Sequence, residues 1–168
     1  MKNLLILRHA KSSWKDPDLA DHDRPLNKRG KTDAPRMGRF LREQDLLPDL
    51  ILSSSAKMAR KTAEKVAEES EFEGIIQFSR DLYAFGSDAY LEALSELSDD
   101  FQSVMIVGHN PGLEELLETL SGQYERLPTA ALAKLSISIQ SWSELLSNPE
   151  AELAAVWRPK EIKERQII

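Results

Sequence analysis

The chain contains no cysteine, which excludes disulfide staples and thiolate nucleophiles and suits a reducing compartment. Long apolar runs are also missing. Met1-Lys2-Asn3 leads into only Leu4-Leu5-Ile6-Leu7, too short for a secretory core or a membrane span. A cytoplasmic protein with no membrane partner is the expectation. Excess basic charge is absent too: 22 Lys and Arg face 28 Asp and Glu, for a net charge of -6. That balance disfavours nucleic acid as a partner, because binding a polyanion rests on cations that neutralise its phosphates. Local exceptions are Lys28-Arg29-Gly30-Lys31, and Lys57, Arg60 and Lys61. They read either as solvated helix surface or as a field that draws in an anionic substrate. No repeat or low-complexity tract divides the 168 residues, so one domain over 1–168 is expected. That length buries an adequate core.

What the chain does have is apolar runs that end on charged or polar groups. Leu4-Leu5-Ile6-Leu7 is followed by Arg8-His9-Ala10-Lys11-Ser12, and Val104-Met105-Ile106-Val107 by Gly108-His109-Asn110-Pro111-Gly112. Unbroken apolar runs fit strands covered on both faces. The residues after them then sit at the strands' carboxyl ends, where ligands bind in open α/β sheets. Two histidines so placed, with an arginine beside the first, suggest phosphoryl chemistry. One imidazole attacks phosphorus while cations hold the oxygens. Gly108 reads as a close approach of backbone to ligand, and Pro111 as a helix start whose N–H groups face an anion.

Between these runs, strand and helix patterns alternate. Asn27 is a candidate cap for a helix from Lys28 to Gln44, with Gly30 and Pro35 weakening its first turns. Asp49 to Ser53 reads as a strand and Lys57 to Ser70 as a helix. Ile75 to Phe78 reads as a strand, Ser87 to Leu97 as a helix, and Ser103 to Val107 as a strand. Leu113, Leu116, Leu117 and Leu120 form a helical seam. Leu135, Ile137 and Ile139 alternate as in a half-buried strand, and Ala154 to Trp157 closes the series. The expected class is α/β, with a largely parallel central sheet.

Several blocks together resemble the histidine phosphatase (phosphoglycerate mutase-like) superfamily. Leu7-Arg8-His9-Ala10-Lys11-Ser12 is similar to its Arg-His-Gly signature, with alanine for glycine. Asp23-Arg24-Pro25-Leu26-Asn27-Lys28-Arg29-Gly30 resembles the next block. Ile51-Leu52-Ser53-Ser54-Ser55 with Thr62-Ala63-Glu64 resembles the third, and Val107 to Gly112 the last. Leu127-Pro128-Thr129-Ala130-Ala131, Trp157-Arg158-Pro159 and the short length are similar to the SixA-type phosphohistidine phosphatase branch. The resemblance implies a three-layer sandwich around the sheet. It also implies that His9 is the nucleophile and that Arg8 binds the phosphoryl oxygens. His109 would brace the transferring group as donor or cation, with Ser12 and the amide of Asn110 adding hydrogen bonds. No metal and no cofactor are implied.

Two departures from the family pattern bear on function. The family's second arginine stands four residues before the threonine of the third block, and here that position is Met58. Arg60, two residues on, points elsewhere if the segment is helical, and Lys57 lacks a bidentate fork. Larger relatives also protonate the leaving oxygen with a glutamate, where Asp81-Leu82-Tyr83-Ala84 offers alanine. Asp16, Asp23 and Glu92 are the candidates that a fold might bring inward. A missing acid favours phosphohistidine, since an imidazole leaves without the help an alkoxide needs. His22 reads as a surface or substrate-rim residue, and Trp14 as a packed or pocket aromatic. Asp16, Asp18 and Asp21 lack the glycine and distal glutamate of a calcium loop. The expectation is a metal-independent phosphatase working through a phosphohistidine intermediate, with phosphohistidine in a protein as substrate. The alternatives are a small-molecule phosphoesterase and a weakened phosphate-binding module.

Overall fold

The computed structural model describes residues 1–83 and 85–162. Strand β1 (Lys2–Arg8) buries Leu4 to Leu7 completely, as an apolar run covered on both faces requires. Five further strands complete the sheet: β2 (Leu50–Ser54), β3 (Ile75–Ser79), β4 (Ser103–Gly108), β5 (Leu132–Ile137) and β6 (Ala151–Trp157), with β3 and β6 at its two edges. The spatial order is β3-β2-β4-β1-β5-β6. β1 to β4 run parallel, while β5 and β6 are antiparallel additions.

Side-chain alternation in β1 divides the interior into two cores. Leu4 and Ile6 join one cluster with α3 (Asp88–Ser95) and α4 (Gly112–Ser121), through Tyr90, Leu94, Leu113 and Leu117. Leu5 and Leu7 join the other with α1 (Lys28–Glu43) and α2 (Lys57–Ser70), through Met37, Leu41, Ala63 and Val66. Helices thus cover both faces of the sheet, giving the three-layer α/β sandwich.

Most expected elements are present, with ends moved by a residue or two. Asn27 caps α1, its side chain accepting the Gly30 N–H at 2.9 Å. The helix runs through Gly30 and Pro35 without a break, because Met37, Phe40 and Leu41 are buried against the rest of the second core. Gly30 has a positional reason. A Cβ there would lie 2.2 Å from the Lys11 carbonyl oxygen, so only glycine lets α1 approach the loop after β1. β5 begins at Leu132, earlier than the alternating pattern suggests, and Ile139 falls outside it. Leu132, Ala133 and Leu135 are all buried, so the first half of β5 does not show the alternation of a half-solvated strand. No helix among the described residues is long and apolar enough to cross a membrane.

Candidate active site

The register of the central strands brings the two histidines together. β1 and β4 pair Arg8 with Gly108, so His9 and His109 leave adjacent strands at the same carboxyl edge. The His9 N–H donates to the Gly108 carbonyl at 3.1 Å, and the ring centroids are 5.0 Å apart. A pocket of about 220 Å3 opens here, lined by Arg8, His9, Lys11, Ser12, Trp14, Asp21, Arg24, Met58, Phe85, His109, Asn110 and Thr129. Every site residue expected from the sequence (Arg8, His9, Ser12, His109 and Asn110) is on that wall.

His9 is held in one tautomer. Its Nδ1 lies 2.8 Å from the Ala10 carbonyl oxygen, which accepts only if Nδ1 carries the proton. Nε2 then keeps a lone pair. The Ala10 N–H donates to Thr62 Oγ1 at 2.9 Å, and Thr62 donates to the Met58 carbonyl at 2.7 Å. The threonine of the third block therefore anchors Ala10, the residue whose carbonyl orients the imidazole. Burial lowers the His9 pKa to about 3, partly offset by the Ala10 carbonyl and reinforced by nearby His109 and Arg8. The ring is neutral at neutral pH.

His109 Nε2 lies 2.8 Å from Ser54 Oγ at the end of β2. That oxygen already accepts the Ala56 N–H at 3.1 Å. Donation of the serine proton to Nε2 satisfies both partners and leaves Nδ1 as the protonated nitrogen of His109. Burial lowers the His109 pKa to about 4, against the pull of the Asp21 charge and with help from Arg8. Of the two roles open to His109, donor or cation, the neutral donor is the one this environment favours. Gly108 is explained by packing, not by ligand approach. A Cβ there would meet Tyr90 Oη at 2.4 Å, and that hydroxyl receives the His109 N–H at 3.0 Å.

Arg8 donates through Nη1 to the Leu127 carbonyl at 3.1 Å, whereas its buried Nε has no protein partner. Leu127 also accepts from Asn110 Nδ2 at 2.8 Å, while Asn110 Oδ1 receives the Glu114 N–H. The Asn110 carboxamide is thereby committed, leaving its backbone N–H for a ligand. Ala130 adopts a left-handed φ of 61° and donates its N–H to the Arg8 and His9 carbonyls. That conformation is costly for alanine and marks a constrained backbone beside the site.

Sequence reasoning missed Arg24. It is only 5% exposed, yet it lines the pocket. Its guanidinium donates to Ser12 Oγ at 2.5 Å, Asp21 at 2.6 Å and the Ser13 carbonyl at 3.0 Å. The exposed Trp14 ring stacks on it, 3.2 Å from guanidinium carbon to ring centroid. Ser12 is thus tied to Arg24, and both reach the pocket because Ser12 pairs with Leu26 in an isolated bridge. The one local signal was arginine within the second block.

Met58 is 2% exposed and lines the pocket, as counting back from Thr62 expects. Arg60 instead stacks on Phe78, 4.0 Å from its ring centroid, and Lys57 does not line the pocket. The carboxylates suggested for an acid are elsewhere. Asp23 pairs with His22, Asp16 lines a separate groove, and Glu92 faces another cavity. Ala84 lies outside the described residues. Asp21 is the carboxylate at the pocket among those described. Burial opposes its charge, but hydrogen bonds from Tyr83 and Arg24 outweigh that and hold its pKa below the usual value. His22 is half-buried with Nε2 2.8 Å from Ser55 Oγ, behind Tyr83 rather than on the pocket wall. No cluster of three or more His, Asp or Glu side chains suited to a metal ion occurs among the described residues.

Comparison with known proteins agrees with this geometry. The family model of the histidine phosphatase superfamily (branch 1) matches residues 4–82. A chloroplast protein of Arabidopsis thaliana, itself uncharacterized, is 36% identical over 159 residues, covering 88% of this chain and 73% of its own. The solved structure of a candidate phosphohistidine phosphatase SixA from Agrobacterium tumefaciens is similar, with 30% identity and a TM-score of 0.81. That match covers 94% of this chain and 98% of the other. The protein histidine phosphatase SixA complexed with tungstate shares the fold, with a TM-score of 0.82 at 19% identity over 95% of this chain and 99% of that one. The chain belongs to the histidine phosphatase superfamily.

Proposed function

We propose that the chain is a metal-independent phosphohistidine phosphatase that works through a phosphorylated His9. The observation that carries this reading is the His9 tautomer: Nδ1–H bound to the Ala10 carbonyl leaves Nε2 unprotonated beside Arg8, Arg24 and His109. Nε2 attacks phosphorus, the P–N bond of the substrate breaks, and the bonding pair returns to the substrate imidazole. Water then attacks the phosphorylated His9. The second P–N bond breaks, and His9 leaves as neutral imidazole because Nδ1 keeps its proton. The water proton ends on the product phosphate. Arg8 and Arg24 offset charge on the transferring group, while the Asn110 N–H and the neutral His109 stabilise it by hydrogen bonding.

Phosphohistidine is favoured over an ester by the state of Asp21. An ionised carboxylate cannot protonate an alkoxide, whereas a substrate imidazole departs neutral once its other nitrogen is protonated. The similarity to a candidate phosphohistidine phosphatase supports the same substrate class. The test is labelling with a phosphohistidine protein. Wild type accumulates an acid-labile phosphoenzyme and releases phosphate; His9→Ala does neither. Labelled, fully active His9→Ala protein overturns the reading, and a higher kcat/KM for sugar phosphates than for phosphohistidine replaces it with small-molecule hydrolysis. A second reading rests on Met58, which puts a thioether where a cation is expected in the pocket. A weakened phosphate-binding module would bind phosphate in calorimetry without turning over any of these substrates.

A further inference from the structure

The catalytic pocket is too small for more than a phosphoryl group and the ring that bears it, about 220 Å3. A groove of about 1000 Å3 lies directly behind one of its walls. The wall is thin. Ser12 bridges to Leu26, the Ser13 N–H donates to the Pro25 carbonyl at 2.7 Å, and Arg24 reaches the Ser13 carbonyl. Ser12 and Arg24 line the pocket, whereas Ser13, Pro25 and Leu26 line the groove.

The groove reverses the charge of the molecule. Its floor carries Pro25, Leu26 and the exposed Leu19, and its rim carries Lys15, Lys28, Arg29 and Lys31 against a single acid, Asp16. Arg29 is partly neutralised by Asp33 at 3.3 Å. Lys15, Lys28 and Lys31 form no ion pair among the described residues. The whole chain has a net charge of -6, so this concentration of cations is local. Three of the cations also occupy the first turn of α1, which contains no acidic residue. A helix amino terminus disfavours cations, so the arrangement opposes local stability and is better explained by something outside the chain.

The geometry points to this groove as a docking site for an acidic, partly apolar surface segment of the phosphoprotein substrate. The inference rests on the phosphatase reading above. It adds the surface that would recognise the protein carrying the phosphohistidine. Charge complementarity selects an acidic segment, and the apolar floor selects a polypeptide over a nucleic acid, whose backbone offers nothing for the exposed Leu19 to cover.

The test uses the intact chain and the double variant Lys28→Glu/Lys31→Glu, both sites being exposed and outside the catalytic pocket. Anisotropy is followed with three fluorescent probes: a short Glu/Leu peptide, its Lys/Leu counterpart, and a single-stranded oligonucleotide of matched charge. Wild type binds the Glu/Leu peptide in a salt-sensitive way, and the double variant binds it about tenfold or more weakly at low ionic strength. Turnover of an aryl phosphate stays within about twofold at physiological salt, where distant exposed charges are screened. Wild type that ignores the acidic peptide, a variant that binds it equally well, or wild type that prefers the oligonucleotide overturns the proposal. None of the probes contains phosphohistidine, so this result is read separately from the labelling experiment.

Discussion

Lowering the pH to 5 removes stability from this fold through two particular rings. His9 and His109 are 8% and 3% exposed, with pKa values lowered by burial to about 3 and about 4. In the unfolded chain both return to ~6.5. Between these limits the unfolded state binds more protons than the native state, so stability falls as pH falls. The contribution is fully present above the unfolded pKa and is lost progressively below it. At about pH 5 each ring is ~1.5 pH units below its unfolded pKa, so at ~1.36 kcal/mol per unit each costs about 2 kcal/mol. Both folded values lie below pH 5, so this figure depends little on them. Together the rings remove about 4 kcal/mol, a large share of the ~5–15 kcal/mol that holds a typical domain. The assay is urea unfolding of wild type and of His9→Asn/His109→Asn at about pH 7.5 and about pH 5. The double variant loses about 4 kcal/mol less on acidification, since contributions from groups common to both chains cancel. Equal losses in the two chains refute the claim that the fold holds these rings neutral. The depressed Asp21 carboxyl has the same sign but acts lower, around and below ~pH 4, where an unfolded aspartate gains its proton.

Further tests separate the supports of the site. Met58→Arg adds a guanidinium to the pocket wall, and kcat/KM for an aryl phosphate rises tenfold or more, toward the ~10² that one well-placed donor supplies; no change means that Arg24 already fills the need. Arg24→Lys keeps the charge but loses the fork that joins Ser12, Asp21 and Ser13, and kcat/KM falls about 10- to 100-fold in steady-state assays. Thr62→Val preserves shape but leaves the Ala10 N–H buried and unpaired, which costs about 1–3 kcal/mol in urea unfolding and lowers kcat more than it changes KM. Gly108→Ala drives a methyl into Tyr90 and costs about 1–3 kcal/mol by the same measurement.

The strands and helices were legible where periodicity is strong. The unbroken run Leu4 to Leu7 reads as a strand covered on both faces, and Lys57 to Ser70, with Ala59, Ala63 and Val66 on one face at helical spacing, reads as a helix. Met58 is placed at the pocket by the family resemblance, which sets an arginine four residues before the threonine of the third block, and it does line the pocket. Arg24 was not visible in that way. It reaches the site through the pairing of Ser12 with Leu26, a contact between irregular segments that no periodicity encodes. Gly108 was misread for a related reason. The atom it must avoid belongs to Tyr90, which helix packing delivers from elsewhere in the chain.

Position 58 serves the site twice, by two different atoms. Its side chain forms part of the pocket wall, while its carbonyl receives the Thr62 hydroxyl that positions Ala10 and, through it, His9. Because Met58 is buried in the second core, only a side chain that fits this space can replace it, but such an exchange leaves the carbonyl where it is. Charge in the pocket can therefore be retuned at this residue without rewiring the nucleophile, which makes it the natural handle for re-engineering the chain toward other phosphorylated substrates.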